Sequence, residues 1–143
     1  MKTVGIVGVE LKKLDGRVLA AKRAIMKIVE DEKPTAISSG ACHLGGIDDF
    51  AERAATYYGL EKTIFEPKTL SWSNGYKPRN LQIAEASDVV YCITVKTLPA
   101  SYDGMRFKLC YHCGTSDHIK SGGCWTVKQA KKLGKRGVII VLD

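Results

Sequence analysis

Cysteine and histidine residues concentrate between positions 110 and 124 of the chain. Cys110 and Cys113 have C-x-x-C spacing, and His118 and Cys124 follow them. Thiolates and imidazoles are the ligands that zinc prefers, and a set of three cysteines and one histidine is common in structural sites. The pattern predicts a structural zinc bound by Cys110, Cys113, His118 and Cys124, with His112 as an alternative to His118. A bound metal would also order a long loop that has no core of its own.

Other interpretations of these cysteines stay open at this point. The chain has 5 cysteines, and an odd number argues against a disulfide framework. The thiols in the loop could remain unligated, or Cys110 and Cys113 could serve redox chemistry. Cys124 is predicted at the start of a helix beside lysines, where a lowered pKa would favour a nucleophilic thiolate. Cys42-His43 could then supply the base.

Two glycine-rich segments each lead into a predicted helix. We name residues 38–48 the first glycine loop, which contains Ser39-Gly40 and Gly45-Gly46, and residues 121–126 the second glycine loop. The free N–H groups and positive dipole end of a helix start suit a phosphate. In the second loop Ser121 is predicted to cap the helix and Thr126 to add a hydroxyl. Either segment alone is also typical of a tight turn, but two at one sheet edge favour nucleotide or phosphate binding.

Basic residues point to an anionic partner. The chain has 22 Lys and Arg against 15 Asp and Glu, a net charge of +7. Arg79-Asn80, in the first turn of a predicted helix, could reach a phosphate or ribose or could lie on the surface. Residues 120–136 contain no acid, which indicates either a solvated helix face or a nucleic-acid track. Trp72, Tyr76 and Trp125 could stack a base or simply pack.

Strand-like and helical segments alternate along the chain, with a polar loop over 67–77. Strands are predicted over 3–9, 35–39, 62–66, 88–94 and 138–142. Helices are predicted from an Asp15 cap to Pro34, over 47–58, over 78–86 and over 122–133. This order is typical of a three-layer α/β Rossmann-like domain with a five-stranded, mainly parallel sheet, which binds ligands at the carboxyl ends of its strands. A single domain over 1–143 is expected, with a Cys/His-containing insertion at about 96–120, before the last helix.

No apolar run approaches the ~18–20 residues that a membrane helix requires. The first ten residues lack the long apolar middle of a signal peptide. The sequence therefore predicts a cytoplasmic protein without a membrane partner, and a homo-oligomer is expected.

Four motifs together resemble the SLOG superfamily, which includes the Smf/DprA proteins, the LOG-like phosphoribohydrolases and the small YspA-like proteins. They are Ser-Ser-Gly-Ala-x-x-x-Gly-Gly-Ile-Asp-x-x-Ala-Glu at 38–52, Pro-Arg-Asn at 78–80, Ala-Ser-Asp-Val-Val at 86–90, and Ser-Gly-Gly-Cys-Trp-Thr with Ala-Lys-Lys-Leu-Gly-Lys at 121–135. The resemblance covers residues 1–95 and 121–143, and the size and the Arg-Asn helix start look most like the YspA-like branch.

The resemblance implies a Rossmann-like sheet that binds a nucleotide or a nucleotide-derived ligand. The residues it implicates are Gly40, Gly45, Gly46, Asp48, Arg79, Asn80, Gly122, Gly123 and Thr126. LOG-like enzymes carry Pro-Gly-Gly-x-Gly-Thr and a catalytic Glu on the following helix, whereas this chain has Ser121 in place of the Pro and no acid over 125–136. The first loop is also two residues longer than the usual Smf/DprA form.

Nucleotide binding is therefore the expected function, and two alternatives stay open. The first is a nucleotide N-glycosidase or phosphoribohydrolase-type hydrolase, for which Asp48, Asp49 and Glu52 are the nearby carboxylates. The second is a Smf/DprA-like binder of single-stranded nucleic acid.

Overall fold

A computed structural model describes residues 1–143 and contains one five-stranded sheet in which all pairings are parallel. The strands are β1 (Thr3–Gly8), β2 (Ala36–Ser39), β3 (Glu61–Ile64), β4 (Val89–Val95) and β5 (Arg136–Leu142). The helices are α1 (Val18–Glu32), α2 (Ile47–Tyr58), α3 (Lys77–Ala86) and α4 (Gly122–Lys132). The predicted α/β fold class is confirmed, and the sheet is wholly rather than mainly parallel.

The strand order is β3-β2-β1-β4-β5, so β1 pairs with β2 on one side and with β4 on the other. Val4 lies opposite Ile37 of β2 and Val89 of β4. The chain runs outward from β1 to β3 and then crosses back to β4, which places the reversal of strand order between β1 and β4. Ligands of such sheets bind at the carboxyl ends of the strands that flank this point.

Helices cover both faces of the sheet because its strands are apolar on both faces. On one face, α1 and α2 pack on a cluster of 17 buried residues that includes Ile6, Ile25 and Phe50. On the other face, α3 and α4 pack on a cluster of 9 buried residues that includes Ile83 and Val127. Full burial of an aliphatic side chain stabilises a fold by about 1.5–3 kcal/mol. The first cluster is therefore the main core.

The predicted Asp15 cap is wrong. A short 3-10 helix, Leu11–Leu14, follows β1, and α1 begins only at Val18, with Arg17 at its N-cap position and no side-chain cap. Gly16, at φ +77°, turns the chain between Asp15 and the helix, so the Asp15 carboxylate lies too early to reach the first turn. It accepts instead from Ser101 Oγ at 3.2 Å.

Strand β3 and the loop after it also differ from the prediction, and the remaining boundaries shift by one or two residues. Strand β3 ends at Ile64 and all of its residues are exposed, as expected at a sheet edge, where apolar pattern is a weak guide. The loop after it contains a π-helical turn, Trp72–Tyr76, and Ser71 caps that turn by accepting from Asn74 N–H at 3.2 Å. None of the helices is long and apolar enough to cross a bilayer.

Candidate ligand cavity and metal centre

A cavity of about 230 Å³ opens at the carboxyl end of β1, the strand that borders the reversal of strand order. The end of β1, the 3-10 helix, both glycine loops, the π-helical turn and the start of α3 all contribute to its wall. Its polar and aromatic lining residues are Glu10, Lys13, Cys42, Asp48, Trp72, Tyr76, Arg79, Asn80, Lys120 and Ser121, together with the glycines Gly122 and Gly123. The structure therefore brings the two glycine loops and the Arg79-Asn80 pair to one place.

The second glycine loop presents the start of α4 to this cavity. Ser121 Oγ accepts from Gly123 N–H at 3.1 Å, which confirms the predicted cap. The N–H of Gly122 donates no hydrogen bond within the protein. A Cβ on Gly123 would lie 2.6 Å from Cys92 Sγ, so only glycine lets the helix start this close to the sheet. Thr126 is buried, lies outside the cavity lining and donates to Gly122 O at 3.3 Å.

The first glycine loop forms hydrogen bonds within the protein, and only part of it faces the cavity. Gly46 has φ +89°, and a Cβ there would lie 2.5 Å from Val9 O, so this position requires glycine. The amide of Ile47, the first residue of α2, donates to the same carbonyl at 3.2 Å. Ser39 Oγ donates to Asp48 O at 3.4 Å. Of the predicted ligand residues in this loop, only Asp48 lines the cavity, whereas Ser39, Gly40, Gly45 and Gly46 shape the loop.

Arg79 and Asn80 are buried yet line the cavity, so they are not ordinary surface residues. Arg79 Nη1 donates to Gly40 O, and Arg79 Nε donates to Asn80 Oδ1 at 2.7 Å. The guanidinium therefore holds the first glycine loop in place. Because Asn80 Oδ1 is occupied, the Nδ2 group of Asn80 is the part left to bind a ligand. It lies 3.7 Å from the position of a Cβ on Gly122.

Asp48 is the one predicted carboxylate that reaches the cavity. Burial raises its pKa to about 6, against the opposing effects of Arg79 and of the Cys42 N–H, which donates to Asp48 Oδ2 at 3.2 Å. Asp49 is exposed and pairs with Arg53 at 3.0 Å. Glu52 lies beside Ser39 Oγ at 3.5 Å, away from the cavity lining.

Sequence reasoning assigned no role to Glu10 and Lys13, which line the cavity opposite Lys120. Burial lowers the pKa of Lys13, against the opposing Glu10 carboxylate, and the nearby Lys120 ammonium lowers it further. Neither lysine forms an ion pair within 4.0 Å. Glu10 and Lys13 could have been identified from their position shortly after β1, because β1 ends at the reversal point of the sheet and ligands bind there.

The predicted metal ligands form a compact cluster. The ligand atoms of Cys110, Cys113, His118 and Cys124 all lie within 4.8 Å of one another, and the group can hold a metal ion. His118 Nε2 is 3.6 Å from Cys124 Sγ. A tetrahedral ion with metal–sulfur bonds near 2.3 Å and metal–nitrogen bonds near 2.0–2.1 Å would separate these two atoms by about 3.6 Å. We call these four residues the Cys/His cluster.

Surrounding groups orient the ligands of the Cys/His cluster. Asp117 Oδ1 lies 2.8 Å from His118 Nδ1, so the other ring nitrogen faces the sulfurs, as in many histidine metal sites. Burial alone would raise the pKa of Cys110, but N–H groups of Cys113, Ser121 and His112 bring it below its usual value. His112 stacks against Tyr111, with a 4.5 Å ring separation, and is not part of the cluster. His118, rather than His112, is therefore the histidine of the cluster.

The nucleophilic interpretation of Cys124 is wrong. A hydrogen bond with Cys92 and burial both raise the pKa of Cys124, and its side chain is inaccessible. Burial likewise raises the pKa of Cys42. His43 Nδ1 lies 3.1 Å from the Tyr76 hydroxyl rather than acting on a thiol.

Comparison with known protein families found no family model that matches the chain, and comparison with curated proteins found no significantly similar sequence. The chemistry of the site is accordingly inferred from its geometry.

Proposed function

We propose that the cavity binds a nucleotide or a nucleotide-derived ligand through its phosphate. The main support is that the Gly122 N–H, which donates no bond within the protein, the Asn80 amide and two lysines without an ion pair, Lys13 and Lys120, all line one cavity. The ammonium groups of these lysines lie over Tyr102 and over Phe107 and Tyr111, cation–π contacts that a bound phosphate would replace. Helix starts bind phosphate through such N–H groups, and charge-assisted bonds from lysine strengthen that contact. The resemblance to the SLOG superfamily supports the same ligand class.

The second glycine loop is the proposed phosphate cradle. At the first loop, the first turn of α2 contains Asp48 and Asp49, and the Ile47 N–H already has an acceptor. An anion there would meet a carboxylate. In the proposed complex, the Asp48 and Glu10 carboxylates instead accept hydrogen bonds from the ribose hydroxyl groups, because ionised carboxylates are acceptors.

The size of the cavity matches part of a nucleotide. Its volume of about 230 Å³ is below the range of about 300–1,000 Å³ found for sites that enclose a drug-sized ligand. The proposed complex therefore encloses a phosphate and its sugar, while the base rests at the rim. Trp72 is 38% exposed there and offers a ring on which a base can stack.

A thermal-shift series with AMP, ADP, NAD and CMP tests this proposal, since a ligand that binds only the folded state raises the Tm. Lys120→Ala should reduce the shift, and Lys128→Ala on the exposed side of α4 is the matched control. No shift with any of these nucleotides contradicts the proposal. Release of a base or of ribose phosphate that is lost in Asp48→Asn would instead indicate the hydrolase.

We also propose that the Cys/His cluster binds zinc as a structural ion. Three thiols and one imidazole form a donor set that zinc prefers, the Cys124–His118 separation fits a tetrahedral ion, and four protein ligands would leave no open position for catalysis. When bound, the ion would supply the positive charge that lets the three neighbouring thiols ionise together. Cys110, Cys113, His118 and Cys124 would hold it.

Elemental analysis before and after chelation tests the identity of the ion. About one zinc per chain is expected in the untreated protein and in Cys42→Ser, whose thiol lies outside the cluster. Cys113→Ser should retain far less. A different metal, or none in freshly purified protein, contradicts the assignment.

A row of aromatic rings favours a second candidate, the end of a single-stranded nucleic acid. Successive ring centroids are 5.6, 4.5, 6.0 and 5.4 Å apart along Phe107, Tyr111, His112, Trp72 and Trp125. Lys120 lies over the first two rings and Lys77 over the last. Aromatic rings beside lysines suit stacked bases and their phosphates. Oligonucleotides that bind more tightly than a mononucleotide, with strong salt dependence and loss in Trp72→Ala, would support this candidate.

A further inference from the structure

One short segment serves the Cys/His cluster and the cavity together. His118 and Cys124 are ligands of the cluster, and Lys120 to Gly123, which lie between them, line the cavity. Seven consecutive residues therefore carry two metal ligands and one wall of the proposed phosphate site. A displacement of either ligand moves that wall.

Hydrogen bonds connect the two sites directly. The N–H of Cys124 donates to Ser121 O at 3.0 Å, and Ser121 Oγ accepts from Gly123 N–H at 3.1 Å. The cap of α4 is thus bonded to a metal ligand through its backbone and to the cradle through its side chain. The position of the Gly122 N–H depends on both bonds.

The insertion over 96–120 has little else to hold it. Its buried residues are Pro99, Cys110 and His118, and two of these three belong to the Cys/His cluster. Large apolar side chains in the insertion are exposed, with Met105 at 73% and Tyr111 at 55%. Its apolar anchors are Cys110, in the 9-residue core cluster under α3 and α4, and Ile119, which packs against the main core. The residues between them bury almost no apolar surface, so their order depends on the Cys/His cluster.

The main core does not share this dependence. The cluster of 17 buried residues under α1 and α2 contains no residue of the Cys/His cluster. Backbone contacts between the insertion and the sheet are few, and one of them is the Ile119 N–H bond to Val95 O at 3.0 Å. Loss of a metal would consequently loosen the insertion and the start of α4 while the sheet remains folded.

We propose that metal occupancy of the Cys/His cluster controls ligand binding in the cavity, so that the metal-loaded protein binds its phosphate ligand and the metal-free protein does not. The inference rests on the proposed function. Because coupling between two binding sites is reciprocal, a bound ligand must also slow the loss of the metal.

Calorimetric titration with ADP, on metal-loaded and on chelator-treated full-length protein, tests the coupling. Coupling between sites commonly spans about 5–150-fold in affinity, and a loss of at least about tenfold is expected. Far-UV circular dichroism checks that the sheet persists. Equal ADP affinity in the two forms overturns the inference, whereas a loaded protein that binds no ADP contradicts the proposed function for that nucleotide.

Hydrogen exchange tests the same inference without any ligand. Removal of the metal should speed amide exchange over 119–124 while amides of β1 and β4 keep their protection. Unchanged protection over 119–124 in the metal-free protein overturns the inference even if ADP fails to bind.

Ser121→Ala separates the coupling from metal binding itself. The variant keeps all four cluster residues and the backbone of the cap but loses the side-chain acceptor of Gly123. We expect normal metal content and ADP affinity weakened several-fold, with recovery in Ser121→Thr. Ser101→Ala, which removes an exposed hydroxyl of the same insertion, is the control and should leave ADP affinity unchanged. Normal ADP affinity in Ser121→Ala contradicts the proposed link.

Discussion

The two glycine loops look alike in the sequence and differ in the structure. Each places Gly-Gly at the entry to a helix. In the first loop, Gly46 packs against Val9 and Leu11, and the first amide of α2 donates to Val9 O. In the second loop, the Gly122 amide is free and faces the cavity. A glycine pair before a helix therefore makes a phosphate site only where the protein leaves the amides unbonded.

The two loops also differ in charge, and this difference again favours phosphate binding at the second loop. The first turn of α2 contains Asp48 and Asp49, whereas the first turn of α4 contains no acid and follows Lys120. The neighbours of the two loops differ as well. The buried Arg79 guanidinium donates to Gly40 O of the first loop, whereas His118 and Cys124 of the Cys/His cluster flank the second. The second loop is accordingly the part of the cavity that a metal could control.

The largest difference between the loops should follow loss of a metal ligand. Cys110→Ser removes one of four ligands, so we expect metal content to fall to near zero and limited proteolysis to cut within 96–121. The first glycine loop should stay resistant because its contacts lie within the main fold. Mass spectrometry of the fragments locates the cuts. Equal cleavage in both loops would show that their supports are not separate.

Substituting alanine for one glycine of each loop should show that Gly46 is needed for folding and Gly122 for ligand binding. Gly46→Ala would combine strain at φ +89° with backbone contacts of 2.5–2.7 Å. We expect a loss of about 2–4 kcal/mol in the free energy of unfolding. Gly122→Ala places its methyl in ordinary contact, 3.4 Å from Trp72, and should cost less than about 1 kcal/mol while weakening ligand binding. Urea denaturation measures both losses, and equal values would contradict the contrast.

The buried Asp48 should make stability fall as pH rises through about 4 to 6. Burial raises its pKa to about 6 in the fold, from about 3.8 for an exposed aspartate. In this window the folded protein holds the Asp48 proton more tightly than the unfolded chain, so ionisation costs stability, by about 2–3 kcal/mol once complete. Asp48→Asn should lose this dependence. Unfolding free energies of both proteins from pH 4 to 7 provide the measurement, and parallel profiles would contradict a raised pKa.

The lysines of the cavity should give the smallest effects. A lost charge-assisted hydrogen bond costs about 1.5–3 kcal/mol when buried and less when water reaches it. Lys13→Ala and Lys120→Ala should each weaken ADP binding by about 1–2 kcal/mol in calorimetric titration. Lys128→Ala, which lies outside the cavity lining, should not change it. An equal loss in all three variants would indicate a general charge effect instead of a built phosphate site.

The fold and the Cys/His cluster were predictable because both rest on local pattern. Continuous apolar strands such as β1 and β4 alternate with amphipathic helices, which determines a parallel sheet covered on both faces. The C-x-x-C pair with His118 and Cys124 supplies a complete ligand set from residue types alone. The choice of His118 over His112 required the structure, since both lie in one loop and the sequence offers no spacing rule between them.

The difference between the glycine loops was not predictable, because it depends on contacts distant in sequence. Gly46 meets residues 9–11, and Arg79 reaches Gly40 across the sheet edge. Glu10 and Lys13 join the cavity only because the chain turns into a 3-10 helix after β1. The Asp15 cap failed for a related reason, as that same short helix and Gly16 delay the start of α1.

A crystal structure of the metal-loaded protein soaked with ADP tests the central claim most directly. We predict that a phosphate oxygen lies within hydrogen-bonding distance of the Gly122 N–H, between Lys13 and Lys120, with the Cys/His cluster occupied. Phosphate bound at the start of α2, or a cavity free of ADP at a concentration that saturates the protein in solution, would contradict the account.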